Sequence, residues 1–107
     1  MIGGFIVGGT GGGAAKVIVR GLGPSVPVSG ALQNPILELH DGNGTTIASD
    51  DNWKDSQQID VQATTIPPPN DLESAIVRTL VPGNYTAILR GVNNGTGIGL
   101  VEVYNLQ

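Results

Sequence analysis

The chain has 107 residues, including 17 glycines and 7 prolines, and 39% of its residues are hydrophobic, which is typical of a single turn-rich domain over residues 1–107. Nine acidic and five basic side chains give a net charge of −4 without a basic cluster, which argues against nucleic acids and anionic membranes as partners. The absence of cysteine excludes disulfides and thiolate chemistry, and no apolar run approaches the roughly 20 residues that would insert into a membrane.

The first part of the chain is predicted to form two strands. Residues 1–7 are apolar with two internal glycines, and we expect an edge strand there, followed by a glycine loop at 10–14. This start lacks the basic segment of a signal peptide, so a secretion signal would lie outside the chain. Residues 16–22 form the next predicted strand, with apolar side chains on both faces, as expected of a strand between two layers.

The sequence ILELHDGNGTTIASDDNW at 36–53 is typical of a β-hairpin followed by an acidic exit. Its Asp-Gly-Asn-Gly turn at 41–44 joins two alternating runs, and Gly and Asn adopt the positive φ angles of tight hairpin turns most cheaply. Alternation places Leu37 and Leu39 in the core and their polar neighbours on the opposite face. The two predicted strands are 36–40 and 45–49.

The second half alternates between irregular and strand-like segments. Residues 54–65 fit a short helix and a loop equally well, with Ile59, Ala63 and Ile66 on an apolar stripe and Val61 off it. Three consecutive prolines then end any helix. Further strands are predicted at 73–80, 85–90 and 98–106. The sequence therefore predicts an all-β fold, an antiparallel β-sandwich of about seven strands of jelly-roll or immunoglobulin-like type, with at most one short helical turn.

Three segments resemble the repeated β-sandwich modules of large bacterial secreted and surface proteins: LELHDGNGTTIASDDNW, NDLESAIV and VPGNYTAILRGVNNGTGIGLVEVYNL. The hairpin with its acidic exit and the Pro-Gly-x-Tyr segment are also distantly similar to the bacterial pre-peptidase C-terminal domain. GGFIVGGT and VIVRGLGPS extend the resemblance over nearly the whole chain. It implies a non-catalytic extracellular module, found in tandem arrays or appended to hydrolases.

Modules of that kind would have a further strand before residues 1–7, so we expect an open edge or groove that a neighbouring copy fills by strand addition. The first and last strands are the candidate contacts. The residues chosen for this interface are Ile2, Phe5, Val7, Leu100, Glu102 and Tyr104. The expected function is a structural module of a surface or filament protein that assembles with copies of itself, and the alternative is an adhesion or carbohydrate-binding module.

Two groups of polar residues are candidate calcium ligands, and calcium is the one cofactor considered. Asp41, Asn43 and Thr45 alternate as at the start of a calcium loop, but the later acid of such a loop is missing, so a polar turn is favoured. The other candidate ligands lie at two strand borders: Asp50, Asp51, Asn70 and Asp71. For these the favoured alternative is Asx turns and helix caps, the caps being Asp55 or Ser56.

Trp53, the only tryptophan, is interpreted either as a stacking platform for a sugar or, preferably, as a plug over one end of the sandwich. His40, the only histidine, has no serine and acid at triad-like spacing, so we expect a solvated side chain and no enzyme.

Three strand arginines, Arg20, Arg78 and Arg90, are expected to form ion pairs with Glu73 or Glu102 at a rim of the sandwich.

Overall fold

The computed structural model describes residues 2–8 and 13–106. Within these residues the chain forms seven β-strands, two short α-helices and one 3-10 turn. The strands are β1 (Ile2–Val7), β2 (Ala15–Leu22), β3 (Pro35–His40), β4 (Thr46–Asp50), β5 (Ser74–Leu80), β6 (Gly83–Gly91) and β7 (Leu100–Asn105). The helices are α1 (Trp53–Ser56) and α2 (Gln58–Ala63), and the 3-10 turn is Val92–Asn94.

The strands form two antiparallel sheets that pack face to face. The four-stranded sheet has the order β1-β6-β3-β4, and the three-stranded sheet has the order β5-β2-β7. The all-β sandwich predicted from the sequence is therefore confirmed. Among the described residues, β3 and β4 are the one consecutive pair of strands that lie side by side; every other connection passes from one sheet to the other.

The main core lies between the two sheets. Leu37 and Leu39 of β3 are fully buried there against Val19 and Ile76 of the opposite sheet and Leu89 of β6. In β3 and β6 burial alternates along the strand, so that the side chains between the buried ones point away from the core. The predicted orientation of the hairpin is confirmed, and its turn has Gly44 at φ 82°.

A second apolar cluster covers the outer face of the three-stranded sheet. Ile18 of β2 points away from the main core and packs with Ala75 and Val77 of β5, and Trp53 and Val61 of the helices cover them. The two helices therefore form a third layer. The expectation that β2 lies between two layers is confirmed, since both of its faces are buried.

The expected helical stripe is wrong in two respects. Residues 54–65 contribute to two helices rather than at most one turn, because the backbone breaks at Gln57 (φ −118°, ψ 40°). The break resets the helical phase, so Val61 is fully buried while Ile59 is 82% exposed.

The remaining predicted strands agree with the structure apart from their ends. Residues 10–12 of the glycine loop lie outside the described residues, as does Met1. Ile98 is not part of β7; it forms an isolated parallel bridge with Ala31. Only residues 81 and 82 connect β5 to β6, and these two strands belong to different sheets instead of pairing with each other.

Candidate functional site

The four outer strands of the two sheets are the candidate functional site, because unpaired strand edges are the places where a sandwich can accept another strand. β4 and β5 lie on one side of the molecule, where the Arg78 guanidinium of β5 donates to the Ile47 carbonyl of β4 at 2.6 Å. β1 and β7 lie on the other side and line a common cleft.

The outer edge of β5 is closed by side chains that imitate a neighbouring strand. The Gln57 carboxamide donates from Nε2 to the Val77 carbonyl at 2.9 Å, and the Val77 N–H donates to Gln57 Oε1 at 2.9 Å. The Ala75 N–H donates to Asp50 Oδ2 at 2.8 Å. These bonds, with that of Arg78 to Ile47, occupy backbone groups that would otherwise be available to another chain.

On the other side of the sandwich, the described residues of β1 and residues 100–104 of β7 show no such closure. In residues 2–7 and 100–104, no backbone group receives a hydrogen bond from a described side chain. An apolar cleft of about 290 Å³ opens between β1 and β7 and reaches Phe5, Val7, Val17 and Val103. Val103 points toward the core and is nevertheless exposed, because β7 is the outer strand of its sheet in the described residues. In residues 2–7 and 100–104 this side therefore offers backbone groups that no described side chain occupies, together with apolar surface.

The six predicted interface residues divide by the face on which they lie. Ile2 points outward from the four-stranded sheet and is 71% exposed. Phe5 and Val7 point inward; Val7 belongs to the core, and the Phe5 ring stacks on Tyr85 with centroids 5.6 Å apart. The selection missed Ile6, which is 77% exposed. Strand alternation counted from Ile2 would have identified it.

On β7 the interface candidates lie on the outer face of the three-stranded sheet. Leu100 and Tyr104 are exposed, whereas Glu102 is bound to the Arg20 guanidinium, which also lies 5.3 Å over the Tyr104 ring. The ion pair expected between Arg20 and Glu102 is confirmed.

The ion pairs expected for Glu73 are wrong. Glu73 is fully buried, and its carboxylate accepts hydrogen bonds from the backbone N–H groups of Gly23, Ser25 and Asn70 and from the Ser25 hydroxyl. Backbone donors therefore take the place of the expected arginine. Arg90 instead binds Glu38 at 2.8 Å, across the outer face of the four-stranded sheet.

Of the four candidate calcium ligands, Asp50, Asn70 and Asp71 have separate side-chain partners, and Asp51 accepts a hydrogen bond from the Ser74 hydroxyl through its backbone carbonyl at 2.6 Å. Asp50 is buried and accepts from the Ser56 hydroxyl at 2.5 Å and from Ala75 N–H; burial raises the pKa of this carboxyl above its ordinary 3.8, while both hydrogen bonds oppose that shift. Asp71 pairs with Lys54 at 3.0 Å, and Asn70 Oδ1 accepts from Leu72 N–H. In the described ranges no group of three or more His, Cys, Asp or Glu side chains is placed to hold a metal ion. Calcium binding stays a prediction.

The favoured alternatives for the polar residues are partly correct. Asp41 Oδ1 accepts from the N–H groups of Asn43 at 2.9 Å and Thr45 at 3.0 Å, so the polar-turn interpretation is confirmed. The bond from Leu72 to Asn70 is likewise an Asx turn. The expected helix caps are wrong, since the N-cap positions of α1 and α2 are Asn52 and Gln57 and neither helix has a side-chain cap.

Trp53 is only 4% exposed and lies in the cluster between the helices and the three-stranded sheet. Its indole N–H donates to the Asn70 carbonyl at 3.3 Å. The ring has no free face on which a sugar could stack. It covers the outer face of a sheet rather than an end of the sandwich.

His40 is held between two acceptors instead of being freely solvated. Its Nδ1 lies 3.1 Å from the Gly44 carbonyl, and its Nε2 lies 3.1 Å from Glu38 Oε1. A carbonyl and a carboxylate both only accept, so both ring nitrogens donate when the imidazole is protonated. The bond to Gly44 and then that to Glu38 raise the pKa of His40. Arg90 and His40 in turn lower the pKa of Glu38.

A comparison with protein-family models finds no match for this chain, and searches of curated proteins and of solved structures find no significant match either. The resemblance to bacterial surface modules therefore stays a prediction. Over the part of the chain that is described, no helix has the length and apolar character needed to cross a bilayer.

Proposed function

We propose that this chain is a non-catalytic extracellular structural module that assembles with copies of itself through its open strand edges. The observation that supports this proposal is the unequal treatment of the two sides of the sandwich. Gln57 and Asp50 occupy outer backbone groups of β5, and Arg78 occupies the Ile47 carbonyl of β4. The β1 and β7 side instead combines backbone that no described side chain occupies in residues 2–7 and 100–104 with an apolar cleft.

Proteins that remain monomeric protect their exposed edges with charges, prolines or covering side chains. β1 has none of these devices, since its sequence IGGFIV contains neither charge nor proline. It also presents Ile2 and Ile6 to solvent, and burying both against another strand would remove substantial apolar surface from water. A chain that blocks one pair of edges and leaves the other open is suited to association in one direction. The extracellular location in this proposal rests on the resemblance described above.

Sedimentation velocity over a concentration series, with and without added calcium, tests the proposal. We expect the mean mass to rise with concentration from that of the 10.9 kDa monomer. A monomer at every concentration in both conditions would contradict the proposal. A rise that requires calcium would in addition support the predicted metal site.

Two lysine variants locate the contact. Ile6→Lys places a charge on β1 and should weaken association, whereas Ser49→Lys places the same charge on β4, at the opposite side of the sandwich, and should leave association unchanged. Equal effects of the two variants would show that the contact is not at β1.

A further inference from the structure

We infer that the partner strand of β1 is β1 of a second copy, which runs antiparallel to it about a two-fold axis through Gly4. This inference rests on the proposed function and assigns its register. Two four-stranded sheets would thereby merge into one continuous eight-stranded sheet.

The two faces of β1 carry different side chains. Its pairing with β6 places Ile2 opposite Ile88 and Ile6 opposite Asn84, both on the outer face of the sheet, with Gly4 between them. Gly3, Phe5 and Val7 occupy the inner face. β1 is therefore apolar on both faces, and its outer face carries two exposed isoleucines that are symmetric about Gly4.

In the proposed register, Gly4 lies opposite Gly4 of the second copy and Ile2 lies opposite Ile6 of the second copy. Each exposed isoleucine then meets another on the outer face, at the Cβ separation of about 4.5–5.5 Å that favours cross-strand contacts. Ile88 of β6 extends this apolar row on the other side of Ile2. The two-fold axis places an identical row of isoleucines on the other side of Gly4.

The inner face fits the same register. Phe5 lies opposite Gly3 of the second copy, so the largest side chain of the strand meets the smallest. Space is present at Gly3, because a Cβ there would approach no atom outside its immediate chain neighbours more closely than 3.8 Å, from Val101. The added strand would also cover the cleft in which Phe5 and Val103 are partly exposed.

Neighbouring registers are less favourable. A shift of one residue would place outward side chains opposite inward ones. A shift of two would place either Phe5 opposite itself or Gly3 opposite itself, and in both cases an exposed isoleucine would face Gly4. The proposed register also pairs even-numbered residues with even-numbered ones and odd-numbered residues with odd-numbered ones. A regular antiparallel ladder therefore forms whether the even-numbered or the odd-numbered residues direct their backbone groups toward the open edge.

A β1 pair is isologous and closes after two copies. Growth beyond a dimer would then require the other open edge, β7. The contact at β1 is therefore closed, and any extended assembly needs a second contact.

Cysteine cross-linking tests the register directly, because the native chain has no cysteine. Gly4→Cys places two thiols opposite each other across the axis, and antiparallel partners have Cα atoms about 4.5–5.5 Å apart, within the range that a disulfide bridges. We expect mild oxidation to give a covalent dimer. The Gly4 site tolerates a Cβ, whose nearest atom would be the Tyr85 carbonyl oxygen at 3.8 Å.

Ile2→Cys and Ile6→Cys provide the matched pair. In the proposed register, residue 2 of one copy lies opposite residue 6 of the other. The two copies of residue 2 are four residues apart along the strands, about 13 Å at about 3.3 Å per residue, and so are the two copies of residue 6. An equimolar mixture should therefore cross-link several-fold more than either variant alone. Ser49→Cys on β4 controls for random collision, and far-UV circular dichroism checks that every variant folds.

The possible failures are distinguishable. If sedimentation shows dimers but Ile2→Cys alone links as well as the mixture, or Gly4→Cys does not link, the register is wrong while self-assembly stands. If every variant and the native chain sediment as monomers, the proposed function itself fails.

Discussion

At the residue scale, two buried carboxylates organise the loops around the sandwich. Glu73 holds the segment after β2 and the segment before β5 through four hydrogen bonds, and Asp50 joins the end of β4 to α1 and β5. The sequence placed both acids at strand borders but assigned them to ion pairs or a metal. Their partners are backbone N–H groups and serine hydroxyls that the fold brings together. Backbone donors have no residue pattern in the sequence, so these partners could not be predicted from it.

Replacing Glu73 tests this interpretation. Glu73→Gln keeps one acceptor oxygen and turns an NH₂ group toward buried N–H donors, so we expect a loss of about 1–3 kcal/mol in the free energy of unfolding. Urea denaturation measures it. Glu102→Gln, at the rim, is the matched control and should cost less than about 1 kcal/mol. Equal losses in the two variants would show that the buried hydrogen bonds of Glu73 stabilise the fold no more than the ion pair of Glu102 does.

His40 predicts a pH dependence. Its pKa in the folded chain lies above the ordinary 6.5, so its contribution to stability is fully present below 6.5 and is lost as the pH rises through the folded pKa. The urea concentration at the unfolding midpoint should therefore decrease as the pH rises above about 6.5, where histidine is the main titrating side chain. His40→Gln should flatten this change. A native midpoint that rises over the same range would contradict the assignment.

At the element scale, the hairpin was predictable and the helical layer was not. β3 and β4 pair with each other across a short turn, so their alternation and turn residues carry the information locally. The phase of α2 depends on the break at Gln57, whose side chain is held by Val77, twenty residues away. The closure of the β5 edge likewise depends on side chains that are distant in the sequence. The exposure of Ile6 could be predicted from the sequence, because strand alternation places Ile6 on the same face as Ile2.

The corrected helical phase can be tested by truncation. Val61→Ala removes methyl groups from the cluster beneath the helices and should lower the free energy of unfolding by about 2 kcal/mol. Ile59→Ala removes more atoms from an exposed position and should change it by less than about 0.5 kcal/mol. Chemical denaturation measures the free energy of unfolding of both variants. A larger loss for Ile59→Ala than for Val61→Ala would instead support the apolar stripe predicted from the sequence.

The closure of β5 predicts a gain of association. Gln57→Ala removes the carboxamide that occupies both backbone groups of Val77, and the freed edge should promote aggregation. Gln58→Ala, on the exposed neighbour, should not. Light scattering at matched concentration compares the two. Indistinguishable scattering would mean that the β5 edge needs no protection.

At the scale of the whole molecule, the sandwich is asymmetric across its width. One side is sealed by side chains and by a helical layer that also covers the three-stranded sheet, and the other exposes two strand edges with an apolar cleft between them. The sequence predicted the all-β class and named the first and last strands as contacts. It could not reveal that these two strands lie on the same side, because that depends on the strand order of both sheets.

Amide hydrogen exchange at low and high protein concentration tests association through β1, because it reports which strand edge becomes protected on association. We expect the exchange of β1 amides to slow at high concentration while the amides of β4 and β5 exchange at unchanged rates. Unchanged exchange in β1 at a concentration where the mass has risen, or new protection confined to β4 and β5, would contradict it.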